Sequence, residues 1–444
     1  MSQDTTRAEG TGAEIGSARP GSLRTATPPL WALYLATGAM AGGLLAVFPL
    51  YPTFQDQYGV STTAIGVVGM VGFATAVIAE LFLAPLADRS AGAAARQARW
   101  CMLAMSAGLL LPALAPGLGS LIAQRALAGM AFGAFLPAVS ALVLAGRTED
   151  AGEKLGKVMS AELAGLSIVP LGASLLIAVV GPMWTLLIAA IPTLVALPFV
   201  RVDPDQPVDP AERSSPSASR PAGARRGVAW DLLRHKPMVH GILLTLAFMV
   251  PIGAYDSIWP IFMDDLGAGP IRLGISYTLF AIPFALVAPW AGRRADRAGP
   301  WRTARAGFAI LLPMVAGYAV ITNANVVIGM GFLESTGQAI AAVAASSAVA
   351  RAAGGGRIAS GEGLARAIGS TGAGLVALAA GPVYGGLGAV WLFGGAVAVV
   401  LALLVAAWAT RAASSPRTRR DGDLRQPCID GGWPQSPSMI STIN

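Results

Sequence analysis

Apolar residues fall in long unbroken runs along this chain, separated by short polar stretches. A helix needs roughly 20 mostly apolar residues to cross a bilayer. Twelve runs meet that length, near 30–51, 62–86, 98–117, 119–145, 156–180, 183–200, 238–262, 271–293, 303–322, 324–349, 360–380 and 386–409. Pro116-Gly117, Gly181-Pro182, Asn323 to Asn325 and Gly381-Pro382 mark breaks between them. Spans 3/4, 5/6 and 9/10 join through very short turns, which predicts antiparallel hairpins. The expected fold is an all-α membrane protein with twelve transmembrane helices.

Composition agrees with the pattern. Of 444 residues, 54% are hydrophobic and only 12% are charged. Soluble domains carry about 25% charged residues. So few charges cannot coat a soluble chain of this length, so much of the surface must face lipid. Two cysteines, Cys101 and Cys428, exclude a disulfide framework and a cysteine-based zinc site. The two histidines, His235 and His240, sit together just before an apolar run. No metal and no cofactor is expected. Residues 1–28 lack the apolar core of a signal peptide.

The basic residues are placed one-sidedly. Loops from odd to even spans hold a single one, Arg272, whereas even-to-odd loops hold 21 and the tails eight. The positive-inside rule then puts both termini and the even-to-odd loops in the cytoplasm, in the cell membrane. The net charge of +7 reads as topology, not as a nucleic-acid patch. Five units are expected: a disordered tail over 1–29, a six-helix bundle over 30–200, a cytoplasmic linker over 201–236, a second bundle over 237–410, and a disordered tail over 411–444. The linker is rich in Pro, Ser, Ala and Arg.

The two bundles read as repeats. At a constant offset, Pro52, Phe54, Asp56, Gly59, Gly66, Asp88 and Arg89 match Pro260, Phe262, Asp264, Gly267, Gly274, Asp296 and Arg297. A second register pairs Glu162 and Gly181-Pro182 with Glu362 and Gly381-Pro382. Two parallel six-helix repeats are a transporter architecture, with the substrate site at their interface near the midplane.

With these features the chain resembles the major facilitator superfamily over about residues 30–410, and within it the twelve-span drug:proton antiporter branch. The loop 2/3 signature reads Ala84-Pro85-Leu86-Ala87-Asp88-Arg89-Ser90-Ala91-Gly92, with alanines at both glycine positions of the pattern. Its second copy is Gly292-Arg293-Arg294-Ala295-Asp296-Arg297-Ala298-Gly299. Span 4 carries Arg125 followed by Gly129, and span 5 carries part of the antiporter pattern as Gly165, Pro170 and Gly172. The resemblance implies that Asp88 and Asp296, with Arg89 and Arg297, face helix starts in the opposite half and latch the cytoplasmic side. It also implies that spans 1, 4, 7 and 10 line a central cavity.

Charges inside apolar spans then stand out, because a charge at membrane depth costs at least about 2.5–3.5 kcal/mol on insertion scales. Arg125 lies in span 4, Asp256 in span 7 and Glu334 in span 10, one on each of three cavity helices. A carboxyl group screened from water favours its protonated form, which a proton-coupling site needs. Glu334 is the first expectation for that site, Asp256 the second, and Arg125 the cation that couples to them. Glu80, Glu162 and Glu362 lie within about two turns of cytoplasmic span ends, and Glu362 and Arg366 are spaced i,i+4. These are expected gate contacts. Tyr255 and Trp259 form a candidate cavity wall, and Gln124 and Gln338 are the chief amides available to a substrate.

The reading that results is a secondary transporter working by alternating access, as a monomer in the lipid bilayer. It would couple proton entry to efflux of a small amphipathic compound, a drug or secondary metabolite. The alternative is a symporter or uniporter for a sugar, organic acid or other small metabolite. An enzyme is not expected: no histidine or Gly-x-Ser-x-Gly elbow lies at membrane depth, and no Walker motif is present.

Overall fold

A computed structural model describes residues 28–87, 90–144, 151–201, 230–353 and 358–412. Each of the twelve expected spans overlies a helix. In the first half these are α1 (Leu30–Leu45), α2 (Thr62–Ile78), α3 (Ala91–Leu114), α4 (Leu118–Leu144), α5 (Ala151–Val180) and α6 (Pro182–Ala196). In the second they are α7 (Lys236–Asp265), α8 (Gly269–Ala298), α9 (Pro300–Tyr318), α10 (Ala324–Ala353), α11 (Ile358–Leu387) and α12 (Ala389–Ala412). Among the described residues there is no β-strand. Among the described residues, ten helices are long and apolar enough to cross a membrane. The other two, α3 and α9, carry Arg96 and Arg99, and Arg302 and Arg305, near their starts.

Local chemistry sets several helix ends. The hydroxyls of Ser61 and Ser90 cap α2 and α3 by accepting from the backbone N–H of Ala64 and Ala93. After α1 the chain tightens into a 3₁₀ turn, Phe48–Leu50, and continues as a short helix, Tyr51–Tyr58. Gly59, at φ +63°, ends that helix in the left-handed conformation. A π-helical turn, Ala79–Leu83, follows α2 and carries Glu80.

Many large apolar side chains point outward. Phe82, Val179 and Leu286 are 70%, 81% and 73% exposed, which in water would be costly and in lipid is not. The interior is instead rich in alanine, with glycines where backbones meet. Lipid tails give helices no hydrophobic drive to associate, so close backbone packing must supply it. Gly129 of α4 shows this. A Cβ there would run into the Gly72 carbonyl and the Thr75 hydroxyl of α2. Gly129→Val is expected to force the two helices apart and destabilise the protein by about 1–3 kcal/mol. A thermal melt in detergent checks this, and an unchanged midpoint would refute it.

Helix contacts repeat between the halves. α1–α5, α2–α4, α3–α4 and α3–α6 recur as α7–α11, α8–α10, α9–α10 and α9–α12. The halves meet chiefly through α2 against α11 and, in the equivalent position, α8 against α5. At the end poor in basic residues, the Phe48–Tyr58 segment also packs on α7. Pro49, Pro52 and Asp56 there face Pro260, Asp264 and Pro270 across a small cavity.

Candidate functional site

The interface between the halves holds the charges that stand out in the sequence. Arg125 projects from α4 of the first half and Asp256 from α7 of the second. One guanidinium nitrogen, Nη2, donates to both carboxylate oxygens, at 2.7 and 2.8 Å. The side chains are only 3% and 12% exposed. A second nitrogen, Nη1, makes a long contact of 3.5 Å with the Leu44 carbonyl. The guanidinium carbon lies 4.9 Å from the centre of the Phe48 ring. Room for the cation comes from Gly72, where a Cβ would stand 2.8–3.0 Å from Nη2, Nε and Cζ. A charge pair this enclosed is favourable only because each partner neutralises the other.

Glu334, on α10, is fully buried, and among the described residues no cation pairs with it. Its two oxygens are held instead by phenols: Tyr255 of α7 donates to one and Tyr318 of α9 to the other, both at 2.8 Å. A phenol hydroxyl can donate or accept, so this pair satisfies the carboxyl group with or without its proton. An ionised carboxylate with no counter-charge in so dry a place is very costly. The two phenols therefore give Glu334 hydrogen-bond partners in either protonation state. Adjacent residues of α7 join the two centres, Tyr255 holding Glu334 and Asp256 holding Arg125.

The other expected site residues are placed as follows. Trp259 is buried among Tyr255, Tyr318 and Phe262, and its ring N–H donates to Ser276 at 3.0 Å. Gln124 is buried with both amide atoms unpartnered. Gln338 reaches the Phe248 carbonyl at 3.5 Å through Nε2, and its Oε1 is unpartnered. Near the basic end, Arg366 of α11 lies within electrostatic reach of Glu80, Glu162 and Glu362. Among the described residues none of these three acids is within ion-pair distance of Arg366. Asp296 is exposed and pairs at 3.4 Å with Arg351 of α10, in its own half. Arg297 is exposed. Asp88 and Arg89 lie outside the described residues, as do most of the expected linker and both tails.

Four aromatic residues at these centres were not singled out by the sequence. Tyr318 closes the Glu334 site. Phe48, Tyr51 and Tyr277 surround the Arg125–Asp256 pair, with Tyr51 and Tyr277 ring centres 5.4 and 6.4 Å from that of Phe48. The offset repeat gave no signal for them. Within apolar runs an aromatic side chain looks like any other core or lipid-facing residue.

Comparison with known proteins places this geometry. The chain is similar to a gentisate transporter of Corynebacterium glutamicum, 29% identical over 310 residues. That match covers 62% of this chain and 66% of the relative, just under two thirds of its length. Among solved structures, the nucleoside transporter NupG has a TM-score of 0.69 at 13% identity, covering 86% of this chain and 98% of that one. A human organic anion transporter has a TM-score of 0.56 at 18% identity, covering 87% and 99%. At such identities the structural likeness speaks for the fold. A sequence model of the Major Facilitator Superfamily matches residues 33–255 and again 241–435, one match for each half. The chain belongs to the Major Facilitator Superfamily and is a multi-pass membrane transporter of small molecules, not an enzyme.

Proposed function

We propose that the protein is a proton-coupled secondary transporter of small organic acids, working by alternating access. The observation that carries this reading is Arg125: a buried cation at the interface of the two halves, tied to the opposite half through a single nitrogen. A substrate carboxylate is the natural competitor of Asp256 for that cation. When it arrives, the tie between the halves loosens, and they are free to rock. Glu334 supplies a proton-carrying carboxyl group, held by Tyr255, the residue next to Asp256 on α7. The name of the sequence relative, a gentisate transporter, supports an acid substrate. It favours the metabolite alternative over the amphipathic drug that the apolar spans suggest.

The conformational state fits the cycle. The halves pack together at the end poor in basic residues, through Phe48–Tyr58 and α7. At the basic end, among the described residues, none of the three acids forms an ion pair with Arg366. With basic loops in the cytoplasm of a cell membrane, this is the inward-facing state. Closing the cytoplasmic side would then bring Glu80 and Glu162 of the first half onto Arg366 of the second. The proposed two-bundle organisation, 30–200 and 237–410, is the pair of bodies that rock.

The test is uptake in proteoliposomes with an inward proton gradient. Labelled 2,5-dihydroxybenzoate should accumulate above the level in protein-free liposomes, and excess tetraphenylphosphonium should not compete. Outward movement of the lipophilic cation, with no uptake of the acid, would replace this reading with drug efflux.

A further inference from the structure

We infer that Phe48, Tyr51 and Tyr277, with the free edge of Arg125, form a recognition site for a hydroxylated aromatic monocarboxylate. This deepens the organic-acid reading and rests on it.

Four observations point to the ligand. Arg125 has five N–H donors, yet Asp256 engages only Nη2. Its Nε has no partner although it is buried. The guanidinium therefore keeps an unused donor for a ligand carboxylate that displaces Asp256. Second, the guanidinium lies over the Phe48 ring at 4.9 Å, and Tyr51 stacks on that ring at 28° between planes. Tyr277 meets it edge-on at 60°. A flat apolar ring fits such a box better than a flexible chain does.

Third, the hydroxyls of Tyr51 and Tyr277 are buried and make no hydrogen bond. Tyr51 is 0% exposed. The hydroxyls are within electrostatic reach of each other and of both members of the ion pair. An unmade hydrogen bond at a buried hydroxyl is costly, so such a group is normally paired. Two of them on one aromatic box are suited to polar substituents on a ligand ring. Fourth, the box is built from both halves: Phe48 and Tyr51 follow α1, and Tyr277 lies on α8. A ligand held by all three contacts the first and second halves at once, as an alternating-access substrate must.

The test uses the full-length protein in detergent and equilibrium binding of three labelled acids: 2,5-dihydroxybenzoate, benzoate and cyclohexanecarboxylate. The wild type should bind them in that order of affinity. Tyr51→Phe combined with Tyr277→Phe should collapse the preference for the dihydroxy acid over benzoate, a change of roughly tenfold for two lost hydrogen bonds. Phe48→Leu should collapse the preference for benzoate over cyclohexanecarboxylate. Because neither phenol hydroxyl has a protein partner, the double Tyr→Phe variant should melt no lower than wild type. An equal loss of affinity for all three acids, or an unchanged preference, would overturn the recognition site while leaving acid transport standing. A wild type that binds none of the three would overturn the organic-acid reading itself.

Discussion

Arg125→Ala should abolish transport and lower the melting temperature sharply, whereas replacing both members of the pair should restore much of the stability and none of the transport. The asymmetry follows from burial. Removing one partner of a buried ion pair leaves the other charge without compensation, at a cost of about 3–5 kcal/mol. Here Asp256 would be left 12% exposed, with Arg125 Nη2 no longer donating to its two oxygens. Asp256→Asn should cost less, because an amide oxygen can still accept from the guanidinium. In the double variant Arg125→Met with Asp256→Asn, no charge is buried, so the energetic reason for instability disappears. Transport is still lost because nothing remains for a substrate carboxylate to displace. Melting curves and uptake on Arg125→Met, Asp256→Asn and their combination form a double-mutant cycle. If Arg125→Ala is as stable as wild type, the pair is not the electrostatic tie described above. If the double variant transports, substrate exchange at Arg125 is wrong.

Glu334→Gln should separate coupling from movement. Glutamine is nearly isosteric, can accept from one tyrosine and donate to the other, and cannot gain or lose a proton. The bonds to Tyr255 and Tyr318 that hold α7, α9 and α10 together are therefore kept. Substrate exchange across the membrane with no net proton movement should continue. Uphill accumulation should not. For electroneutral symport of one proton with a monovalent acid, one pH unit supports roughly tenfold accumulation, since each tenfold is about 1.4 kcal/mol. The variant should fall to the level of protein-free liposomes. Retained accumulation would remove Glu334 from the coupling step and turn attention to Asp256. Loss of both exchange and accumulation would assign it a structural role.

How much of this was legible in the sequence depended on what each residue costs. Membrane spans are legible because a bilayer admits only long apolar runs, and every expected span overlies a helix. The structure lengthens several of them beyond the apolar core. α7 starts at Lys236 and α10 reaches Ala353, because backbone hydrogen bonding continues a helix past the apolar core into the interfacial region. Arg125, Asp256 and Glu334 were visible for a related reason. A charge inside an apolar run is expensive, so each marks itself. Their partners did not. Arg125 and Asp256 are 131 residues apart, and nothing in their local sequence says that one answers the other. The sequence likewise gave Glu334 no tyrosines, because Tyr318 sits at the end of α9, a helix with no marked charge at depth. Tyr51 and Tyr277 were missed since a phenol in an apolar run is indistinguishable from an interfacial anchor until its hydroxyl is seen to be buried. The basic-end acids were legible as a group by their common depth. Arg366 as their shared cation needed the packing of α2, α5 and α11.

The central claim is that substrate and proton move together. It is tested most directly by recording internal pH with a trapped dye in proteoliposomes, at zero membrane potential and with no imposed proton gradient. On external addition of 2,5-dihydroxybenzoate, the wild-type protein should acidify the lumen faster than protein-free liposomes do, and Glu334→Gln should not. Protein-dependent uptake of the labelled acid with no change in internal pH beyond the protein-free control would contradict the account.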